Sequence, residues 1–272
     1  MINIREWESR IWQGDCLELA GAWPSGRVQL VLTSPPYNAG IEYGSGIDDA
    51  RPWPDYEVWL AQWLGLAKRL LSDGGRLVVV VAAGIGRSPW YPLAARYMQA
   101  AEAWGLLPRA EIIWDKGPSR NSSTAWGSWC SPSNPQIRDS HEAILVFSKG
   151  EWALPNPRSV DSDLCREEFP DLTRSLWRVP CETDRTHPAP FPLRLAERLI
   201  KLYSWPGDLV CDPFMGWGTT ALACERLGRR WIGAELSPEY VAMAQKRIDR
   251  ERDKLQFDFE GREDGSLPRG SR

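Results

Sequence analysis

The chain has 272 residues, 43% hydrophobic and 25% charged, which is enough to bury a full core and excludes a disordered chain. Lysine and arginine number 33 against 36 acids, for a net charge of -3, so no overall basic charge marks a nucleic-acid binder and any such surface has to be local. No apolar run approaches the roughly 18 residues of a membrane span, and the first ten residues lack an apolar signal core, so a cytoplasmic protein with no membrane contact is expected.

In chain order, the apolar run 28–32 reads as a buried strand. Over 55–71, Trp59, Leu60, Trp63, Leu64, Ala67, Leu70 and Leu71 recur at three- and four-residue intervals, the signature of one buried helix face. A turn at Asp73-Gly74-Gly75 precedes a strand at 77–82, and a second helix falls within 93–104. Short apolar runs at 111–114, 143–147, 209–211 and 231–234 predict strands buried on both faces, with helices at 193–202 and 238–252. Ser237 can cap free amides where Pro238 opens the last of these helices. The alternation predicts an α/β fold with a doubly wound parallel sheet. Two stretches interrupt it: 117–139, rich in Ser, Asn, Pro and Trp, and 151–185, polar with dispersed arginines. The sixteen tryptophans are spread along the chain and read mostly as packing.

Two segments carry chemistry. Ser34-Pro35-Pro36-Tyr37 follows a strand directly, at the carboxyl edge where open α/β sheets place their sites, and its prolines fix where the polar atoms point. An exocyclic base amine is a poor nucleophile because its lone pair is conjugated into the ring. A Ser oxygen and a proline carbonyl can accept its hydrogens and let the nitrogen pyramidalise, while Tyr37 stacks on an extruded base. The second segment, Asp212-Pro213-Phe214-Met215-Gly216-Trp217-Gly218-Thr219-Thr220, follows another strand; its glycines let backbone approach a ligand, and no Walker lysine follows. Glu235, ending the next strand, suits ribose hydroxyls or a plain helix-start acid.

With both motifs in this order, the chain resembles the β-class amino-methyltransferases of DNA, whose S-P-P-Y motif precedes D-P-F-x-G-x-G-T. The likeness runs from about residue 11 to 250. It implies a Rossmann-like methyltransferase sheet with circularly permuted motif order, catalytic half first and cofactor half last, and a small inserted recognition region. It implies S-adenosyl-L-methionine as cofactor. By the same likeness Asp15 and Glu235 hold the adenosyl part, Thr186, His187, Phe191 and Pro192 wall the methionine end, and Thr33, Asp212, Pro213, Phe214, Gly216, Gly218 and Thr219 complete the cofactor-binding residues. His141 and Glu142 lie near the flipped base, and Ser34, Pro35, Pro36 and Tyr37 are catalytic. Read without the likeness, Asp15 is a turn acid, His141 a strand-start histidine and His187-Pro188 a loop. A serine in the loop leans toward N4 of cytosine within the family; adenine N6 is the alternative.

This organisation divides the chain into a catalytic half, 1–150, with 117–139 as a substrate-facing loop, a target-recognition insertion at 151–185, a cofactor half at 186–255 and a polar tail at 256–272. In the tail, Leu267-Pro268-Arg269-Gly270-Ser271 resembles a protease-site remnant. Double-stranded DNA is the expected partner, met by Lys116, Arg120, Arg138, Arg158, Arg166, Arg174, Arg178 and Arg185; a homodimer and a cognate restriction endonuclease stay open. Six scattered cysteines and two histidines give no zinc spacing, so no metal is expected. Pro180-Cys181-Glu182 has the look of a cytosine-C5 nucleophile loop but follows no catalytic strand. A nicotinamide-dependent oxidoreductase would show G-x-G-x-x-G near the first strand. An inactive DNA-binding protein with the same fold is a further possibility, as is RNA as the substrate.

Overall fold

The computed structural model describes residues 8–23, 25–42, 47, 49–86, 89–117, 127–181 and 191–263. Its eight strands are β1 (Arg10–Gln13), β2 (Val28–Thr33), β3 (Leu71–Ala82), β4 (Leu106–Asp115), β5 (His141–Lys149), β6 (Leu176–Arg178), β7 (Leu209–Asp212) and β8 (Arg230–Glu235). The helices are α1 (Cys16–Leu19), α2 (Trp53–Leu70), α3 (Leu93–Ala103), α4 (Phe169–Leu172), α5 (Leu193–Tyr203), α6 (Thr219–Leu227) and α7 (Pro238–Glu263). The strands form one sheet in the order β1-β8-β7-β2-β3-β5-β4-β6.

Period-2 alternation along the strands builds two cores, one on each face of the sheet. Leu77, Val79 and Val81 of β3, with Leu145 and Phe147 of β5, pack beneath Trp63, Leu64 and Leu70 of α2 and Tyr97 of α3. Val78 and Val80 face the other way, with Ile144, Val146, Leu195, Leu199 and Ala223, against α5 and α6. Trp63, Trp114, Trp177 and Trp231 are fully buried, as expected of packing tryptophans.

The expected sheet is corrected in one respect: β5 runs antiparallel to both β3 and β4, against the direction of the rest. The expected turn at 73–75 lies inside β3 as a bulge, since Val28 pairs with Leu71 and Leu30 with Arg76. The last helix continues past residue 252 to Glu263. Its start agrees with the expected cap, the Tyr240 amide donating to Ser237 Oγ at 3.4 Å.

Within the segment 151–185, expected as a target-recognition insertion, residues 151–175 lie along the end of the sheet where β7 and β8 begin. There Arg158 ion-pairs with Asp208, Asp163 ion-pairs with Arg229, and Arg76 Nη2 donates to the Trp152 carbonyl at 2.9 Å. Only with β6, paired in parallel to the last residues of β4, does the chain return to the opposite edge. Arg120 and Arg185 lie outside the described residues. Among the described residues no helix is long and apolar enough to cross a membrane.

Candidate active site

β2 and β7 are parallel neighbours, so the loops that leave their carboxyl ends emerge side by side. Thr33 Oγ1 donates to Asp212 Oδ1 at 2.7 Å, a bond that ties the end of one strand to the end of the other. Asp212 is buried and also accepts from Thr220 Oγ1 at 2.6 Å and from the Phe214 amide at 3.1 Å. Burial raises its pKa to about 6 against these donors. Asp212 therefore fixes the loop after β7 from beneath.

Above it opens a cavity lined by Gly14, Asp15, Ser34, Pro35, Pro36, Tyr37, Pro213, Phe214, Gly216 and Glu235, with Trp59, Leu236 and Tyr240. The loop at 34–37 and the glycine-containing loop thus share one space. Glu235 links its two sides: Oε2 accepts from the Gly216 amide and Oε1 from the Ser237 amide, both at 2.8 Å, and burial raises its pKa. Asp15 Oδ1 accepts from the Leu17 amide at 2.8 Å, so this residue caps α1 as well as lining the cavity. Asp15, Asp49 and Glu235 stand against Arg51 as the cavity's only cation among the described residues. Such a balance repels a phosphate and suits a ligand with hydroxyl donors and positive charge.

Of the residues expected at the cofactor, Thr33, Asp212, Gly218, Thr219, Phe191 and Pro192 do not line this cavity. Phe191 packs in the core on the α5–α6 face, Pro192 caps α5, and Thr219 Oγ1 accepts from Trp217 Nε1 at 3.1 Å. Gly218 sits at φ +88°, where an added Cβ would lie 2.9 Å from Ala244 Cβ on α7. Its glycine serves helix packing. Gly218→Ala is expected to cost about 1–3 kcal/mol, from left-handed strain and overpacking, as a lower midpoint of urea unfolding. Thr186 and His187 lie outside the described residues.

Several supporting residues carry no functional signal in the sequence. The Pro36 carbonyl accepts from Tyr56 Oη on α2 at 2.8 Å, and Tyr56 is 3.0 Å from Tyr97 Oη on α3. Since Tyr56 gives its proton to Pro36, Tyr97 gives its own to Tyr56, and burial keeps Tyr97 neutral by raising its pKa. Phe214 is held by Trp59 and Trp63, with ring centroids 5.4 and 5.5 Å away. Both tyrosines look like core positions in the sequence, and nothing in their spacing signals a loop partner.

On the other side, Tyr37 Oη lies 2.8 Å from Ser34 Oγ, 3.0 Å from the Val80 carbonyl and 3.2 Å from Glu142 Oε2. The carbonyl and the carboxylate only accept, so the tyrosine's one proton goes to them and Ser34 donates to Tyr37. The remaining lone-pair capacity of Ser34 Oγ is left for a donor in the cavity. The Pro35 carbonyl accepts no hydrogen bond among the described residues, whereas Pro36 is taken.

A twisted α/β sheet with a glycine-containing acidic pocket and an acceptor-bearing loop at one carboxyl edge defines a Rossmann-like transferase. A family model described as DNA methylase, of the N6/N4 type, matches residues 28–246, and the chain belongs to that family of DNA amino-methyltransferases. It is 30% identical over 270 residues to the type II methyltransferase M.XycI of Xanthomonas campestris pv. cyanopsidis, covering 88% of this chain and 87% of that one. A putative DNA modification methylase of Thermus thermophilus, TTHA0409, solved in complex with S-adenosyl-L-methionine, superposes with a TM-score of 0.71 at 34% identity, over 89% of this chain and 93% of its own. The PvuII DNA methyltransferase (cytosine-N4-specific) gives a TM-score of 0.71 at 23% identity, over 92% and 94%, a likeness of fold.

Proposed function

We propose that this DNA methyltransferase transfers a methyl group to N4 of a cytosine swung out of double-stranded DNA. S-adenosyl-L-methionine is its cofactor and supplies an electrophilic sulfonium methyl group when bound. Asp15 and Glu235 fit its hydroxyls, the carboxylate-rich wall fits its positive charge, and Pro213, Phe214 and Tyr240 give the adenine an apolar seat.

The observation that carries the reading is the polarity of the loop. Ser34 points its proton at Tyr37, so Ser34 Oγ and the Pro35 carbonyl stand as two acceptors beside the cofactor cavity. Two acceptors match the two hydrogens of an exocyclic amine and would repel the carbonyl of a thymine or uracil. Holding both hydrogens lets the nitrogen pyramidalise, which withdraws its lone pair from conjugation with the ring and makes it nucleophilic. The choice of cytosine over adenine rests on serine as the first loop residue, in line with the family preference. Trp129, Ile137 and Arg138 are exposed in the chain between β4 and β5, on the same edge of the sheet as the loop at 34–37, which supports reading them as DNA contacts.

The test is mass spectrometry of nucleosides from DNA of an expressing host. N4-methylcytosine is expected; N6-methyladenine alone would overturn the base assignment. An inactive DNA-binding protein of this fold would leave neither.

A further inference from the structure

The hydrogen-bonded line at the catalytic loop does not stop at Tyr37. Glu142, at the start of β5, meets Tyr37 with Oε2 and ion-pairs through Oε1 with Lys116, just beyond β4. Lys116 thereby orients the carboxylate and leaves Oε2 toward the tyrosine. The side chain of Glu142 is 12% exposed, so it keeps a path to water. Of the two acceptors on Tyr37, the Val80 carbonyl cannot take up a proton and the carboxylate can.

We infer that Glu142 receives, through Tyr37 and Ser34, the proton that the target amine sheds on methylation. This rests on the amine-methylation reading above. The nitrogen forms its bond to the methyl carbon as the carbon–sulfur bond breaks, the electron pair of that bond staying on sulfur. One N–H proton passes to Ser34 Oγ, the serine's own proton to Tyr37 Oη, and the tyrosine's to Glu142 Oε2. Water removes it from Glu142 afterwards. Ser34 is the group that touches the substrate; Tyr37 and Glu142 act through it on the proton. The line needs no movement, because each donor already faces its acceptor.

The experiment compares single-turnover rates of Glu142→Gln, Tyr37→Phe and the double variant on DNA from a host without modification. Glu142→Gln keeps an acceptor oxygen but cannot hold the proton, and Tyr37→Phe keeps the ring but cuts the line. Each is expected to slow transfer about 100-fold, with S-adenosylmethionine affinity by calorimetry unchanged. The double variant is expected to be no slower than Tyr37→Phe alone, and formate to restore part of the rate of Glu142→Ala. Independently of turnover, the 13Cζ resonance of Tyr37, identified by its loss in Tyr37→Phe, is expected to shift in Glu142→Gln. A Glu142→Gln rate within about threefold of the parent, effects that multiply in the double variant, or no rescue by formate would overturn the relay. Base identity is read separately from the product nucleoside, since cytosine and adenine amines both have this proton to lose.

Discussion

Ser34→Ala is expected to lower the single-turnover rate of methyl transfer by about 10²–10³-fold, equivalent to about 2.7–4 kcal/mol of transition-state stabilisation. The methyl group of alanine leaves the loop's shape intact, because Pro35 and Pro36 set the backbone and Tyr56 still holds the Pro36 carbonyl. What disappears is one of two acceptors beside the cavity, together with the donor to Tyr37. One hydrogen of the amine is then unpaired, and the nitrogen keeps its conjugation into the ring. In the proposed reaction Ser34 meets the amine rather than the sugar or the adenine, so S-adenosylmethionine affinity by equilibrium dialysis is expected to stay within about threefold of the parent. A single-turnover rate that barely moves would remove Ser34 from the chemistry.

Asp212→Ala is expected to act on the fold of the whole edge. Thr33 Oγ1, Thr220 Oγ1 and the Phe214 amide all donate to this one carboxylate, so its removal strands three donors in a buried place. At about 1–3 kcal/mol each, the loss is at least about 3 kcal/mol, a fall in melting temperature of roughly 10 °C for a domain of this size. Cofactor binding is expected to weaken with it, since Phe214 and Gly216 are aimed by the same loop.

Asp212→Asn separates charge from shape. Burial raises the carboxyl from its ordinary 3.8 to about 6 in the folded protein, so the fold keeps this proton to a higher pH than the unfolded chain does. The contribution to stability is fully present below about pH 4 and is lost as the pH rises to about 6, an amount of about 3 kcal/mol. Glu235, also raised by burial, adds a loss of the same sign. Urea unfolding across this window is expected to show a flatter pH dependence in Asp212→Asn than in the parent.

Which parts of this architecture the sequence discloses follows from the range of the interactions involved. The strand ending at Thr33 and the loop at 34–37 are readable because an apolar run and two prolines are local signals. The helix over Trp53–Leu70 is readable because its buried residues repeat at helical spacing. The direction of β5 is not, because a central strand buried on both faces shows the same apolar run whichever way it points. The position of 151–175 depends on Arg158 meeting Asp208 and Asp163 meeting Arg229, charge pairs between distant parts of the chain. Arginines meant for phosphate and arginines meant for a neighbouring strand are alike in sequence. The end of α7 outruns its apolar pattern because its last turns are charged and carry little periodicity, although lysine, glutamate and arginine favour helix.

At the site, the family likeness is what brings Asp15 to the cavity ahead of the structure, whereas Gly216 and Glu235 are legible from their own strand-end segments. The likeness also points to Thr219 as cofactor-binding, a residue that does not line the cavity and accepts from Trp217 Nε1. Tyr56 and Tyr97 sit on helix faces that carry ordinary core residues, so their hydroxyl contacts appear only in three dimensions.

The bond between Thr33 and Asp212 spans 179 positions of sequence. A ribosome therefore delivers the loop at 34–37 long before β7, which must lie beside β2, and the middle of the sheet stays open until β7 has been made. Such long-range closure makes for slow folding and leaves the flanks of β1 and β2 exposed to wrong partners in the meantime. Chaperone dependence during production, and little tolerance of truncation after β7, follow from the order in which the halves are written.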